Sequence, residues 1–232
     1  RTQDLNVSFV SNWLNINCGI SVVEVRIIPD IEKKIIFHVL DLSKKFKYVF
    51  TTGGIGPTHD DITSQSIAKA FKLKYEYNIE AYSILEKYYG KKKFNEARKK
   101  MAKMPTGSQL IYNPSSAAPG FKIKNVLSLP GVPLILKSMM VNLKKYLIKG
   151  PLTYSKTISL VTVESSIAQY LDQLQKKYLK KIDIGSYPFF RLGKVGVSVV
   201  LRAINKKTIR KCEIEVLKMV KEKKIEIYSF QA

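Results

Sequence analysis

The first 150 residues alternate between apolar residues at helical spacing and short, continuous apolar runs. Helical spacing predicts helices, and short runs rich in Val, Ile and Phe predict buried strands. The predicted helices cover residues 4–17, 29–45, 62–71, 76–103 and 133–147. The predicted strands cover residues 20–28, 48–52, 109–112 and 126–129. This alternation predicts an α/β domain of three layers, α/β/α, with a mostly parallel sheet between two layers of helices.

The rest of the chain follows a different order of elements. Gly150-Pro151 is a candidate hinge, so we divide the chain into domains at residues 1–150 and 151–232. The second part has predicted strands at 153–163, 182–187, 195–203 and 225–230, and predicted helices at 165–178 and 208–221. The order β-α-β-β-α-β is typical of a small α+β domain with a ferredoxin-like sandwich.

One stretch combines a strand, a glycine turn and the start of a helix. The strand ending at Thr52 is followed by Gly53-Gly54-Ile55-Gly56-Pro57, a turn that glycine makes easily because it accepts positive φ. Thr58-His59-Asp60-Asp61 then leads into the helix that begins near Thr63. Backbone N–H groups at such a turn converge on an anion, and adjacent carboxylates suit a divalent cation that bridges to phosphate. A glycine turn alone would fit a simple chain reversal equally well, with the aspartates as caps.

The charge balance is strongly basic, with 40 Lys and Arg against 18 Asp and Glu and a formal net charge of +22. Most of the basic residues are lysines scattered along the chain, and the runs at 91–93 and 99–100 are interpreted as solvated helix faces. No segment concentrates the aromatic and basic residues that stack single-stranded bases, so nucleic-acid binding is not expected. The positive field should still attract phosphorylated small molecules.

Three smaller features bear on the cellular context. No run of about 18 apolar residues exists, so no membrane span is expected. Cys18 and Cys212 are interpreted as reduced thiols of a cytoplasmic protein. The chain opens at Arg1 and not at Met, so we expect a fragment that lacks its true start.

The stretch TTGGIGPTHDDIT at residues 51–63 resembles the signature of the molybdopterin-binding (MoaB/MogA-like) domain family. More narrowly, it is similar to the branch found in competence-damage-inducible protein CinA and at the N-terminus of some FAD synthases. NPSSAAPGF at residues 113–121 resembles a second loop of the family, although Ser115-Ser116 stand where many relatives have glycine. PGVP at residues 130–133 resembles the second glycine turn of the family. The likeness extends from residue 1 to about 149, and it implies that the first strand of the family fold, with its carboxylates, is absent from this sequence.

IDIGSYPFF at residues 182–190 looks like the segment that follows this domain in CinA and FAD-synthase relatives. In CinA this region is described as KH-like, so a KH-like arrangement is the alternative to the ferredoxin-like one. GKVG at residues 193–196 has the GxxG pattern of the RNA-clamping KH loop. Because it falls in a predicted β-hairpin and not between two helices, we interpret it as a turn.

The glycine pattern and the resemblance together define the candidate site. Asp61, in the Asp-x-Thr spacing of the wider family, is the first candidate for a catalytic, metal-binding carboxylate, and Asp60 is the second. The candidate ligand-binding residues are Gly53, Gly54, Gly56, Thr58, Thr63, Asn6, Ser115, Ser116 and Gly131. His59, beside the aspartates, is interpreted as a surface residue.

The resemblance implies metal-dependent hydrolysis of a nucleotide pyrophosphate such as ADP-ribose or FAD. Mg²⁺, Mn²⁺ or Co²⁺ would be held by Asp60 and Asp61, and potassium is a further candidate cation. The alternative is binding of molybdopterin or an adenylated pterin in molybdenum cofactor biosynthesis, without hydrolysis, and a third hypothesis is a regulatory module. The resemblance also implies a homo-oligomer. Neither a CinA-type deamidase domain nor an FAD-synthase domain is recognised, so those activities are not predicted.

Overall fold

The computed structural model describes residues 4–191 and 193–228. The described residues form two compact units: residues 4–14 together with 21–148 form the first, and residues 15–20 together with 149–191 and 193–228 form the second. Each unit has its own hydrophobic core. Within the described residues, no helix combines the length and the apolar composition needed to cross a membrane.

The helices and strands of the first 150 residues are numbered in chain order. The helices are α1 Asn6–Cys18, α2 Glu32–Lys45, α3 Thr63–Ala70, α4 Ile79–Tyr89, α5 Glu96–Lys100 and α6 Pro133–Leu143. The strands are β1 Val49–Thr52, β2 Tyr75–Tyr77, β3 Lys103–Pro105, β4 Gln109–Ile111, β5 Gly120–Ile123 and β6 Val126–Leu129.

The main sheet has the strand order β1-β6-β5-β4. β1 and β6 are parallel, with Val49 opposite Val126 and Thr52 opposite Leu129. β6 pairs with β5, and β5 with β4, in antiparallel fashion. The predicted α/β class is therefore confirmed. The prediction of a mostly parallel sheet is wrong, because β5, which the sequence pattern does not predict, pairs in antiparallel fashion with both of its neighbours.

Both faces of the main sheet are covered, since every residue of β6 is buried. On one face, Val126 shares a core with Ile35 of α2. On the other face, a Cβ added to Gly120 would lie 3.2 Å from the Met139 side chain of α6 and 3.5 Å from that of Leu129. Helices therefore pack on the two sides of the sheet, and the predicted three layers are confirmed.

No strand forms at residues 20–28, although the valines there predict one. A strand needs a neighbour to pair with, and none of the described strands pairs with this segment. Val23 and Ile27 are 78% and 84% exposed. Arg26 instead forms an ion pair with Asp41 of α2 at 2.7 Å. The strand prediction is wrong here because strand propensity does not supply a pairing partner.

The single helix predicted at residues 76–103 is also wrong. Asn78 begins α4 by accepting the Ala81 N–H at 2.9 Å, and Gly90 ends it with φ 74°. Asn95 then caps α5. Residues on either side form the antiparallel pair of β2 and β3. Side-chain caps and a positive φ outweigh the helical spacing of apolar residues in this segment.

The second unit contains β7 Tyr154–Val161, α7 Ala168–Lys177, β8 Asp183–Arg191, β9 Lys194–Ala203, α8 Lys206–Glu222 and β10 Glu226–Ile227. Its sheet is antiparallel with the order β10-β7-β9-β8. The predicted β-α-β-β-α-β order is confirmed, and the strand order is that of a ferredoxin-like sandwich. GxxG at 193–196 lies in the β8–β9 hairpin, as the turn interpretation requires. The end of the strand predicted at 225–230 lies outside the described residues.

Glu215 of α8 connects the two helices of the second unit. Its carboxylate accepts hydrogen bonds from the Lys177 ammonium and the Tyr178 hydroxyl, both at 2.6 Å. These two contacts lower the pKa of Glu215 below its ordinary value of 4.5. Burial, together with the bond to Glu215, raises the pKa of Tyr178.

Glu215→Gln is expected to destabilise the chain by about 1 kcal/mol at neutral pH, because a hydrogen-bonded charge pair is lost. Since the folded-state pKa of Glu215 is depressed, this contribution is present above pH 4.5 and is lost as the pH falls through the lower folded-state value. Urea unfolding at neutral pH and near pH 3 measures the difference in free energy of unfolding between the variant and the unmodified chain. This difference should be smaller at pH 3. Glu222→Gln is the matched control, because its nearest ammonium, on Lys218, is 3.9 Å away. An equal difference at both pH values would contradict the assignment.

Candidate functional site

Three loops leave the main sheet at the same edge. β1 and β6 are parallel, and β4 runs in the direction of β6 because antiparallel β5 lies between them. The loops that follow β1, β4 and β6 therefore share the carboxyl edge of the sheet, where ligands bind in open α/β folds. These loops hold every candidate site residue except Asn6 of α1 and Thr63 of α3.

The loops after β1 and β6 touch each other at their glycines. Gly53 has φ 104°, and its N–H donates to the Leu129 carbonyl at 2.9 Å. A Cβ on Gly131 would lie 3.2 Å from the Gly53 Cα, closer than ordinary van der Waals contact allows. Because glycine at both positions permits this approach, the two loops form one continuous backbone surface.

Asn6, near the start of α1, joins this surface from a third direction. Its side-chain N–H donates to the Gly131 carbonyl at 2.8 Å, and the residue is 8% exposed. Its Oδ1 is buried and has no hydrogen-bond partner among the described residues. A buried polar atom without a partner is uncommon and marks a place where a ligand donor would be stabilised.

Gly54 makes room for the first residue of α3. Its φ is 69°, and a Cβ there would lie 2.0 Å from the Thr63 Oγ1. The Thr63 N–H donates to the Gly54 carbonyl at 2.9 Å. Thr63 is buried by this contact, so its position fixes where α3 begins relative to the glycine turn.

Asp61 closes the turn that precedes α3. Its Oδ2 accepts the Thr58 N–H at 2.9 Å and the Thr58 hydroxyl at 2.5 Å. A Cβ on Gly56 would lie 2.6 Å from the same oxygen, so the carboxylate packs against the glycine backbone. Lys100 of α5 donates to the Thr58 carbonyl and brings a positive charge to the turn.

Asp60, the neighbouring carboxylate, is exposed. A hydrogen bond from Thr58, the Asp60 N–H itself and the charges of His59 and Lys100 hold the pKa of Asp60 below its usual value. The Thr58 hydroxyl has a single proton, so it can donate a hydrogen bond to only one of the two carboxylates at a time. Its short hydrogen bond is with Asp61. Asp60 is therefore ionised at neutral pH and available to a cation.

Ser115 and Ser116 lie on the loop after β4, which Asn113 organises. The Asn113 Oδ1 accepts the N–H groups of Ser115 and Ser116 at 2.9 and 3.1 Å. Its amide N–H groups donate to the Ser116 Oγ at 2.7 Å and to the Ala118 carbonyl at 2.9 Å. β4 is three strands from β1, which is about 14 Å at roughly 4.8 Å per strand. The serines thus share the edge with the glycine loops but stand apart from them.

Two residues that sequence reasoning did not select belong to this region. Asn113 is 8% exposed and shapes the serine loop, and the Asn-Pro pair at its start is a known turn signal that could have identified it. Lys100 lies in a lysine run that was interpreted as a solvated face. No local signal distinguishes Lys100 from its neighbours, because its contact with Thr58 joins distant parts of the chain.

Asp60 and Asp61 are the carboxylates that could contribute to a metal site at this turn. Within the described part of the chain, no three His, Cys, Asp or Glu side chains are grouped in a way that could hold one. Mg²⁺, however, is commonly bound by one or two carboxylates with water and phosphate oxygens completing its shell. Asp60 and Asp61 fit a cation that is shared with a phosphate ligand, and not one that the protein holds alone.

Two family models match the chain. The family described as "Probable molybdopterin binding domain" matches residues 1–150. The family described as "FAD synthase, middle domain" matches residues 152–229.

Similar proteins come from several organisms. A protein from Sulfurisphaera tokodaii is 35% identical over 189 residues, which cover 77% of this chain and 72% of that protein. A protein from Archaeoglobus fulgidus is 32% identical over 183 residues, which cover 79% of this chain and 77% of that protein. The crystal structure of a CinA protein of unknown function from Thermoplasma acidophilum aligns with a TM-score of 0.57 at 30% identity, over 64% of this chain and 89% of that chain. The chain therefore belongs to the molybdopterin-binding domain family, in the CinA-like branch that also carries the FAD synthase middle domain.

Proposed function

We propose that the carboxyl edge of the main sheet binds a nucleotide pyrophosphate, such as ADP-ribose or FAD, and supports its metal-dependent hydrolysis. The observation that carries this proposal is the buried, unpartnered Oδ1 of Asn6 beside the contact between Gly53 and Gly131. A ribose hydroxyl or a ring N–H of the ligand would satisfy that oxygen. Leaving such an acceptor unpaired costs about 1–3 kcal/mol, so its pairing favours the bound state.

The glycine turn supplies donors for the phosphates. Within the described residues, the N–H groups of Gly53, Thr58 and Asp61 are used by the turn itself. No such use is seen there for those of Gly54, Ile55 and Gly56, so these three N–H groups would be available to a ligand. Such donors bind phosphate oxygens and stabilise the charge that develops on them during hydrolysis.

Asp60 and Asp61 would hold Mg²⁺, Mn²⁺ or Co²⁺, which supplies Lewis acidity toward the phosphate oxygens. The charge of Lys100 at the same turn attracts the anionic ligand. Asp61 also keeps the turn closed through Thr58, so the donors of the glycine backbone are fixed before the ligand arrives.

The experiment is an assay of AMP release. The chain is incubated with ADP-ribose or FAD and with each of the three metals, and AMP is measured by chromatography. We expect release that needs the metal and stops when EDTA is added. A folded chain that releases no AMP with any metal would exclude the hydrolase proposal for these substrates.

A second candidate function is binding of molybdopterin or an adenylated pterin without hydrolysis. It is favoured by one observation, the engagement of the Asp61 Oδ2 with Thr58 and with the Gly56 backbone, which is how a structural carboxylate is placed. Equilibrium binding of a pterin with no AMP release from ADP-ribose or FAD would favour this alternative.

We also propose that the protein is cytoplasmic and self-associates. Cys18 and Cys212 are both buried, and two cysteines in a chain of this size are typical of the reduced thiols of a cytoplasmic protein. Exposed apolar side chains at residues 22–27 supply surface for association between copies. Light scattering on the purified chain measures its mass, and a monomer at all concentrations would contradict the homo-oligomer.

A further inference from the structure

We propose a second binding site, for a small phosphate-bearing ligand, at the end of the main sheet opposite the glycine loops. A cavity of about 360 Å³ opens there, between the C-terminal ends of α2 and α3 and the turn that joins β5 to β6. Lys44, Lys72 and Lys124 line it, and Leu40 and Phe71 form an apolar floor. Ligand cavities in proteins measure roughly 300–1,000 Å³, so a nucleotide-sized molecule has room.

The positive charge of this lysine cavity is not balanced by acidic residues. Among the described residues, no carboxylate forms an ion pair with any of its three lysines. The carboxylates on α2 are already paired elsewhere: Asp41 with Arg26 and Lys45 at 2.7 and 2.8 Å, and Glu32 with Lys69 at 2.7 Å. Among the described residues, the three lysines that line the lysine cavity are therefore without a carboxylate counter-charge.

The ends of α2 and α3 offset only part of that charge. A helix C-terminus carries the equivalent of about half a negative charge, so two of them compensate about one lysine. Roughly two positive charges remain at the lysine cavity. That remainder is available to an anion from solution.

The walls of the lysine cavity are fixed before a ligand binds. The Asn125 side chain donates to the Ser43 and Phe46 carbonyls at 2.9 and 2.8 Å and accepts the Ser43 hydroxyl at 2.6 Å. These bonds fasten the β5–β6 turn to the end of α2. The Lys124 ammonium lies 4.5 Å from the centre of the Phe71 ring, which holds it above the floor. A preorganised site loses less entropy when it binds.

The chemistry of the lining identifies the ligand class. Ammonium groups are compact point charges that bind phosphates without requiring the planar, bidentate geometry that arginine provides. The apolar floor offers a place for a ring. A nucleoside diphosphate combines both parts, with its phosphates at the lysines and its base against Leu40 and Ala70, since the Lys124 ammonium already lies over the Phe71 ring. This site shares no residue with the glycine loops, so it does not depend on the function proposed for them.

Lysine footprinting with ADP tests the proposal on the whole chain. The chain is treated with an acetylating reagent with and without ADP, and the modified lysines are quantified by mass spectrometry. We expect ADP to slow acetylation of Lys44, Lys72 and Lys124 about threefold or more, while adenosine, which lacks phosphate, has little effect. Lys33, Lys34 and Lys92, which are exposed and lie outside the lysine cavity, should be unaffected.

Variants give a second, independent readout by calorimetry. Replacing the three lysines of the lysine cavity by methionine should weaken ADP binding there about tenfold or more. The control replaces Lys33, Lys34 and Lys92 by methionine, which changes the net charge equally and should leave binding intact. If the triple variant folds poorly, Lys72→Met alone can be used, because position 72 is exposed. This single change should also weaken ADP binding.

Three outcomes would overturn the proposal: protection spread evenly over all lysines, equal weakening in the two triple variants, or no ADP binding by the unmodified chain. Asp60→Asn separates this site from the glycine loops. It should leave the footprint at Lys44, Lys72 and Lys124 unchanged whether or not it alters AMP release.

Discussion

Asparagine in place of Asp60 or Asp61 is expected to lower metal-dependent AMP release about 100-fold or more, because each change removes a negative charge that would hold the cation against the phosphates. The fold should survive both changes. Asp60 is exposed, and an asparagine at position 61 keeps an oxygen that can accept the Thr58 N–H. Initial rates of AMP release at saturating metal, together with urea unfolding, measure the two effects separately.

Asp30→Asn is the matched control, since it removes an exposed carboxylate far along the chain from the turn. Thr58→Val is informative beside it, because it removes the hydroxyl that bonds to Asp61 and leaves both charges in place. Full activity in both aspartate variants would defeat the metal assignment. If Asp60→Asn abolishes AMP release and Asp61→Asn does not, the role of Asp61 is limited to closing the turn.

Gly54→Ala is expected to lower the free energy of unfolding by about 3 kcal/mol, from a left-handed backbone penalty and steric overpacking. A Cβ at this position would lie 2.0 Å from the Thr63 Oγ1 and 2.8 Å from its Cβ. Thr63 cannot retreat easily, because it is buried and its N–H bonds to the Gly54 carbonyl. Urea unfolding curves of the purified variant give the change directly.

Gly107→Ala measures the left-handed backbone penalty without a steric clash, so comparison with Gly54→Ala gives the cost of the clash with Thr63. Gly107 has φ 81°, close to the value at Gly54, but a Cβ there would meet nothing within 4 Å. Its expected cost is about 1 kcal/mol, the left-handed penalty alone. Combining Gly54→Ala with Thr63→Ala should recover part of the loss, since the nearest atom is removed. Equal losses at positions 54 and 107 would show that the contact with Thr63 has no energetic weight.

Elements whose residues carry their own start and stop signals were predictable from sequence. β6 has its predicted bounds, because its residues are all buried and Pro130 follows them directly. In α6, proline opens the helix at its first turn, where its missing N–H leaves no hydrogen bond unmade. Four of its apolar residues at helical spacing, Leu136, Met139, Met140 and Leu143, are fully buried.

Elements that depend on a distant partner were not predictable in the same way. Residues 20–28 have strand composition but no strand to pair with, whereas β5 pairs on both sides despite a glycine and a lysine among its four residues. Pairing decides both cases, and pairing is set by residues far along the chain. The alternation of Phe121 and Ile123 with Lys122 was a weak sign of β5 that the preceding proline-rich loop obscured.

The residues of the candidate site also divide into those that a local sequence signal identifies and those that depend on a distant partner. The glycines and aspartates of the β1 loop were selected from a continuous motif, and the structure places Gly53 of that loop against Gly131, whose carbonyl accepts a hydrogen bond from Asn6. That contact could be anticipated only through the family resemblance. The role of Lys100 comes from a long-range hydrogen bond to Thr58 that no spacing in the sequence encodes, whereas Asn113 bonds to its own loop and its Asn-Pro pair is a turn signal.

The contact between Gly53 and Gly131 also couples ligand binding to folding. The two glycines meet only after β1 and β6 have paired, so an unfolded chain has no such surface to offer a ligand. By mass action, a ligand present at one hundred times its dissociation constant would add about 2.7 kcal/mol to the stability of the folded chain. In a variant whose Lys44, Lys72 and Lys124 are methionine, the melting temperature therefore reports occupancy at the glycine loops. Measured there, it can rank nucleotides and pterins whether or not any of them is hydrolysed.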